Sequence, residues 1–204
     1  MSKFTIIEDC SPYYIRFTHE GIDDLIEYCK GCIPPMEDRK WLFGGFNHHA
    51  LPPTQVGNVL LRTPISELMP LSTDRVSLFI SKPGMYYRAH KDGLDHRFSI
   101  NYTVAIADDK CVTSWWSDED LKNYPIDKVN GWSRECDGFN PKNHTPLKSM
   151  VAKPGECILF NTEIFHDWDN TASDNYRVVL TLRIRQPFTG KTYFEDAKKI
   201  IFGQ

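Results

Sequence analysis

From Arg75 onward the chain is a succession of short strand-like runs separated by turn residues, and this rhythm limits the fold more than any other feature. Segments 75–80, 85–90, 98–104, 111–116, 148–152, 156–160, 164–168 and 177–185 are rich in β-branched, aromatic or alternating apolar residues. In one of them Phe98, Ile100, Tyr102 and Val104 alternate with Ser99, Asn101 and Thr103, the period-two pattern of a half-buried strand. Pro83-Gly84 and Pro154-Gly155 interrupt the runs, supplying turn backbone that a strand interior cannot use. Many short strands with no long helix between them predict a mainly β fold with flanking helices, an antiparallel sandwich or barrel.

The N-terminal part reads differently. Ile22, Leu25, Ile26 and Cys29 recur at helical spacing, with Thr18 as the N-cap. Thr63-Pro64 predicts the start of a second short helix that stops before Pro70. These helices are expected to cover one outer face of the sheet. With no repeat, low-complexity tract or Ser/Gly linker, residues 1–204 read as a single domain. Within it, 1–74 is mixed helical and strand support, 75–186 the β core and 187–204 a C-terminal tail. Segment 117–147 is polar, carries Pro125, Gly131, Gly138 and Pro141, and is long for a connection. Trp115, Trp116 and Trp132 flank or punctuate it, so it reads either as a folded flap beside a site or as an insertion on the barrel exterior.

Composition removes several classes of function. A hydrophobic share of 41% and a charged share of 25% are those of an ordinary globular protein. Apolar runs such as Val76 to Ile80 and Val178 to Leu182 are too short to span a bilayer, so no membrane partner is expected. The N-terminus reaches Glu8 and Asp9 without the apolar core of a signal peptide, which predicts a cytoplasmic protein. A net charge of −3 argues against a nucleic-acid partner, and Arg183, Arg185, Lys191, Lys198 and Lys199 read mainly as a solvated face. Six cysteines without a secretory signal read as reduced thiols, and Cys29 of the Cys29-x-x-Cys32 pair as helix packing.

The chemistry concentrates in His90-Lys91-Asp92, directly after a strand. Side chains two apart on an extended backbone point the same way, so an imidazole and a carboxylate can face one ion. His166 lies in another predicted strand and offers a third ligand. Two imidazoles and one carboxylate leave three octahedral positions open, which suits Fe(II) better than a closed zinc site. Arg177 opens the next strand, and alternation puts Arg177, Thr181 and Arg183 on one face. A buried guanidinium needs an anionic partner, and the far carboxylate of a dicarboxylic ligand is one. Tyr87 and Trp168 are candidates to line a substrate pocket, with Trp115 as a further substrate contact. His48-His49 reads as loop, His144 as exposed, and His96 as a rival of His90 that lacks the one-residue spacer.

Taken together, His90-x-Asp92, His166 and Arg177, with Pro154-Gly155-x-x-x-Leu159-Phe160 ahead of the distal histidine, resemble the 2-oxoglutarate/Fe(II)-dependent oxygenase superfamily. The layout is nearest to the prolyl hydroxylase and aspartyl/asparaginyl hydroxylase branches, over residues 75–186. The resemblance implies a double-stranded β-helix, or jelly roll, cupin-like in form. It implies Fe(II) as cofactor and 2-oxoglutarate as co-substrate, with release of succinate and CO2. It places the C5 carboxylate on Arg177, with Tyr102 on the inward strand face as a second donor and Arg183 as an alternative arginine. The implied activity is that of a hydroxylase. The substrate is expected to be a peptidyl or free amino-acid side chain, ahead of another small molecule or a nucleobase. A jelly-roll binding module without turnover stands as the alternative.

Overall fold

The computed structural model, which describes residues 3–42, 45–92, 97–105, 108–129, 133–185 and 192–203, folds the predicted runs into two antiparallel sheets. The strands are β1 (Phe4–Cys10), β2 (Tyr14–His19), β3 (Phe46–Ala50), β4 (Ser77–Ser81), β5 (Met85–Asp92), β6 (Phe98–Ala105) and β7 (Val112–Trp116). They continue as β8 (Ile126–Val129), β9 (Ser133–Cys136), β10 (Lys148–Val151), β11 (Cys157–Asn161), β12 (Phe165–Asn170) and β13 (Arg177–Leu182). One sheet has the order β1-β2-β11-β6-β13-β4-β3, and the other β10-β7-β12-β5-β9-β8. Neighbours in space are rarely neighbours in sequence, and the two sheets face each other as a jelly roll. The helices are α1 (Ile22–Gly31), α2 (Pro53–Arg62), α3 (Asp118–Leu121) and α4 (Phe194–Phe202). Among the described residues, no helix is long and apolar enough to cross a membrane.

The largest apolar core lies outside the jelly roll. Ile100, Tyr102 and Val104 of β6, with Val178, Leu180 and Leu182 of β13, pack against Leu25 and Cys29 of α1, Val59 of α2 and Ala197 of α4. Leu25 is fully buried there, so Leu25→Ala would cost about 2–5 kcal/mol. The opposite faces of the same strands carry Ser99, Asn101, Thr181 and Arg177, and look between the sheets. That arrangement reserves the interior for polar groups and rings.

Several local expectations are corrected. Thr18 lies within β2, paired with Thr5, and α1 is entered instead through Gly21, whose φ of +79° favours glycine. The helix predicted from Thr63-Pro64 is a single 3-10 turn over Pro64–Glu67; α2 precedes it, started by Pro53 at its first position. The N-terminal strands β2 and β3 pair with β11 and β4, extending the larger sheet at both sides. Residues 194–202 of the expected tail form α4.

Segment 117–147 follows the exterior alternative in its apolar part. Ser117 caps α3 by accepting from the Asp120 N–H, and Leu121, Cys136 and Phe139 pack on Ala89, Trp116 and Phe165, on the outer side of the smaller sheet. Yet β9 also pairs with β5, His90 opposite Glu135, which brings one residue of the segment to the cavity. His144 is half-buried, bonded to Tyr124 Oη at 3.0 Å, not exposed as expected. His96 and Trp132 lie outside the described residues.

Candidate metal centre

His90 on β5 and His166 on β12 are direct cross-strand partners, and their rings lie 4.3 Å apart between centroids. Asp92 is two residues further on β5, so strand periodicity turns it to the same side. One ligand atom from each of His90, Asp92 and His166 falls within 4.8 Å of the others. The imidazoles are held in a defined tautomer. Nδ1 of His90 lies 2.8 Å from the Arg88 carbonyl, and Nδ1 of His166 lies 2.9 Å from the Ile164 carbonyl. A carbonyl only accepts, so each Nδ1 carries the proton and each Nε2 presents a lone pair. Phe160 packs edge-on to His166 at 4.6 Å and Tyr87 edge-on to His90 at 4.9 Å, which restrains both rings.

Electrostatics favour the same donor set. Burial, reinforced by the neighbouring His90, pushes His166 down to about 3, so it is a neutral imidazole at ordinary pH. Burial alone would raise the Asp92 carboxyl, but the Arg183 guanidinium, ahead of the two neighbouring imidazoles, outweighs it and leaves it below the usual carboxylate range. Asp92 Oδ2 pairs with Arg183 Nη1 at 2.8 Å, while Oδ1 lies 3.8 Å from His90 Nε2. The Nε2 atoms of His90 and His166 and one carboxylate oxygen of Asp92 therefore converge on one point.

These ligands line a cavity of about 690 Å³ between the sheets. Arg177 lines it too, only 8% exposed, with its guanidinium 5.3 Å from the Trp168 ring. Its Nε has no hydrogen-bond partner, and among the described residues no carboxylate pairs with it. Asn101 Oδ1 on the neighbouring β6 is also buried without a partner and lines the same cavity. Burial lowers the Arg177 pKa, the expected response of a desolvated cation that would gain from an anion.

The structure brings His90, Asp92, His166, Arg177, Arg183, Tyr87 and Trp168 to one cavity. It does not bring Tyr102 there. The Tyr102 side chain points to the helical layer, where its Oη sits 2.7 Å from Thr63 Oγ1 and 3.1 Å from His19 Nε2. The apolar-alternating face of β6 is the outer face, so the inward assignment of Tyr102 is reversed. Trp115 is likewise corrected: it is fully buried, stacks on Tyr14 at 5.0 Å and packs behind Phe160, and it does not line the cavity. Arg183 reaches the cavity but spends its charge on Asp92.

Sequence reading passed over Glu135, Phe46 and Phe79, and took His48 for a solvated loop residue. His48 lies on β3, stacks on Phe79 at 4.8 Å and lines the cavity from its exposed side. Only the partial alternation of Phe46-Asn47-His48 hinted at a strand, and nothing local marked Glu135.

No protein-family model matches the sequence, and no curated protein matches it. Solved structures do share the fold. HygX from Streptomyces hygroscopicus, solved with nickel, 2-oxoglutarate and hygromycin B bound, aligns with a TM-score of 0.57 at 9% identity. The alignment covers 87% of this chain and 84% of that one. The epimerase SnoN, in complex with Fe3+, alpha-ketoglutarate and nogalamycin RO, aligns with a TM-score of 0.55 at 11% identity, over 84% of this chain and 78% of that one. The non-haem alpha-ketoglutarate-dependent carbocyclase SnoK from nogalamycin biosynthesis aligns with a TM-score of 0.52 at 13% identity, over 84% and 79%.

Proposed function

We propose that this chain is an Fe(II)- and 2-oxoglutarate-dependent oxygenase acting on a small organic molecule. One observation carries the reading. The His90–Asp92–His166 cluster, with ligand atoms within 4.8 Å, shares a cavity with the buried Arg177 guanidinium, whose Nε lacks a partner.

The residues fit both groups. Two imidazoles and a carboxylate are the donor set of non-haem Fe(II) sites that keep coordination positions open. A guanidinium in a low-dielectric cavity suits one end of a dicarboxylate through paired charge-assisted hydrogen bonds. In this reading His90, Asp92 and His166 hold the metal, and Arg177 holds the C5 carboxylate of 2-oxoglutarate. When bound, the pair supplies the oxidation of a substrate C–H bond by O2, with 2-oxoglutarate leaving as succinate and CO2.

The chain's own contribution is positioning. The carbonyls of Arg88 and Ile164 keep both Nε2 atoms available, and Arg183 holds one oxygen of Asp92 so that the other is left for the metal. Phe160, Tyr87, Phe46 and Trp168 line the cavity with rings, limiting water around the reacting centre. HygX holds hygromycin B and SnoN holds nogalamycin RO, and a ring-lined cavity suits such free molecules better than the peptidyl side chain expected from sequence. Whether the oxidation ends in hydroxylation, epimerisation or ring closure depends on that substrate.

The test is succinate formation. With Fe(II), 2-oxoglutarate and O2 supplied, succinate should accumulate slowly even without substrate, need Fe(II), and vanish in His166→Ala. If calorimetry shows metal and 2-oxoglutarate bound but no succinate forms, the chain is a binding module and the oxygenase reading is wrong.

A further inference from the structure

We infer that Glu135 is the anchor of a substrate subsite that selects a cationic group, an ammonium or guanidinium, on a molecule with a ring or apolar body. The inference deepens the oxygenase reading, on which the word substrate rests.

Glu135 stands on β9 directly opposite His90 of β5, so its side chain shares the face of that metal-ligand candidate. It is only 8% exposed and lines the cavity. Tyr87 Oη donates to Glu135 Oε1 at 3.1 Å, and the Tyr87 ring meets His90 edge-on at 4.9 Å. The carboxylate is thus oriented within the same ring of side chains as the metal cluster.

A strip of aromatic rings leads to this point from the open side. His48 stacks on Phe79 at 4.8 Å, Phe79 stacks on Phe46 at 5.2 Å, and Phe46 contacts Tyr87 at 5.3 Å. The strip offers surface for a ring or apolar body, and its inner end is marked by a carboxylate. Of the other charged residues that line the cavity, Arg183 is paired with Asp92, Arg177 lies beyond Trp168, Asp74 accepts from Ser72 Oγ, and Arg75 also lies on the wall. An anionic group beside Glu135 would be repelled. A purely apolar group would displace water from a carboxylate without replacing its hydrogen bonds, at a large cost. A cation on an apolar frame satisfies both ends, since the carboxylate forms charge-assisted hydrogen bonds and the rings cover the hydrocarbon.

The experiment compares 2-phenylethylammonium with 2-phenylethanol, which share a ring and a length but differ in charge. Affinities are read by ligand-observed NMR on the full chain, metal-free and again with Mn(II) and 2-oxoglutarate under nitrogen. The ammonium should bind at least about 10-fold more tightly than the alcohol. Its protons should be broadened further when Mn(II) is present, which reports proximity to the metal. Glu135→Gln, which keeps size and hydrogen bonding, should erase the preference while 2-oxoglutarate affinity stays unchanged. Tyr87→Phe, which keeps the ring, should retain it. Equal affinities in the natural chain, or a preference that survives Glu135→Gln, would overturn the subsite. Failure of Mn(II) or 2-oxoglutarate to bind would instead count against the oxygenase reading, because the metal-free comparison still decides the cation preference.

Discussion

Arg183 Nη1 lies 2.8 Å from Asp92 Oδ2, while the other oxygen of the same carboxylate lies 3.8 Å from His90 Nε2. The two oxygens have divided their partners. One is tied to β13's C-terminal extension and the other is turned to the histidines, so Asp92 is prepared as a one-oxygen ligand. Arg183→Met should therefore weaken Mn(II) binding by roughly 10–100-fold, the usual scale for losing a group that orients a ligand. Arg183→Lys should recover part of that loss. Isothermal titration calorimetry checks both, and unchanged affinity in Arg183→Met would show that Asp92 needs no such anchor.

Arg177 is placed differently. Its guanidinium sits over Trp168, and its Nε has no partner. Arg177→Met should raise the dissociation constant for 2-oxoglutarate by roughly 100-fold, consistent with the 2–5 kcal/mol lost when one side of a buried charge pair is truncated. Mn(II) affinity without 2-oxoglutarate should stay as it was. An effect on the metal alone would reverse the roles given to the two arginines.

Tyr102 supplies the contrast. His19 Nδ1 lies 2.8 Å from the Glu20 carbonyl and donates to it, so His19 Nε2 accepts from Tyr102, whose oxygen accepts from Thr63. Tyr102→Phe strands two buried polar groups and should cost about 1–3 kcal/mol of stability in urea unfolding. It should leave 2-oxoglutarate binding unaltered, since the side chain lies in the helical layer. Weakened 2-oxoglutarate binding would restore the inward role.

The metal-free protein should lose stability in mild acid. Burial, with His90 beside it, depresses His166 to about 3, whereas the unfolded imidazole titrates near 6.5. Between those values the unfolded chain binds a proton that the native chain refuses. The contribution of this group is fully present above about pH 7 and falls with pH through that window, by on the order of 1 kcal/mol per unit. Urea melts at pH 7.5, 6 and 5 should show the decline, and His166→Gln should flatten it. Equal slopes in the two proteins would assign the acid sensitivity to other groups.

Much of the fold and of the candidate centre was legible in the sequence, because both rest on local rules. Strand periodicity alone put His90 and Asp92 on one side, and it put Arg177 of β13 and Arg183, just past its end, on one side as well. Turn residues between short runs were enough to predict an antiparallel sandwich or barrel, and the family resemblance narrowed it to a jelly roll.

Periodicity states that two faces differ, but not which of them looks inward. In β6 the apolar set, Tyr102 included, turned outward because α1, α2 and α4 form the larger core there, leaving Ser99 and Asn101 for the interior. That choice depends on helices drawn from both ends of the chain. Which of the two arginines meets Asp92 was decided the same way, by the reach of Asp92 from a different strand. Glu135 and His48 became cavity residues through the pairing of β9 with β5 and of β3 with β4, contacts between distant segments that no local pattern encodes. The sequence by itself determined the donor types of the candidate centre and the strand rhythm, since these follow from residue type and backbone geometry. Tertiary structure alone decided which face is interior and which charges meet, since burial and pairing are properties of the packed chain.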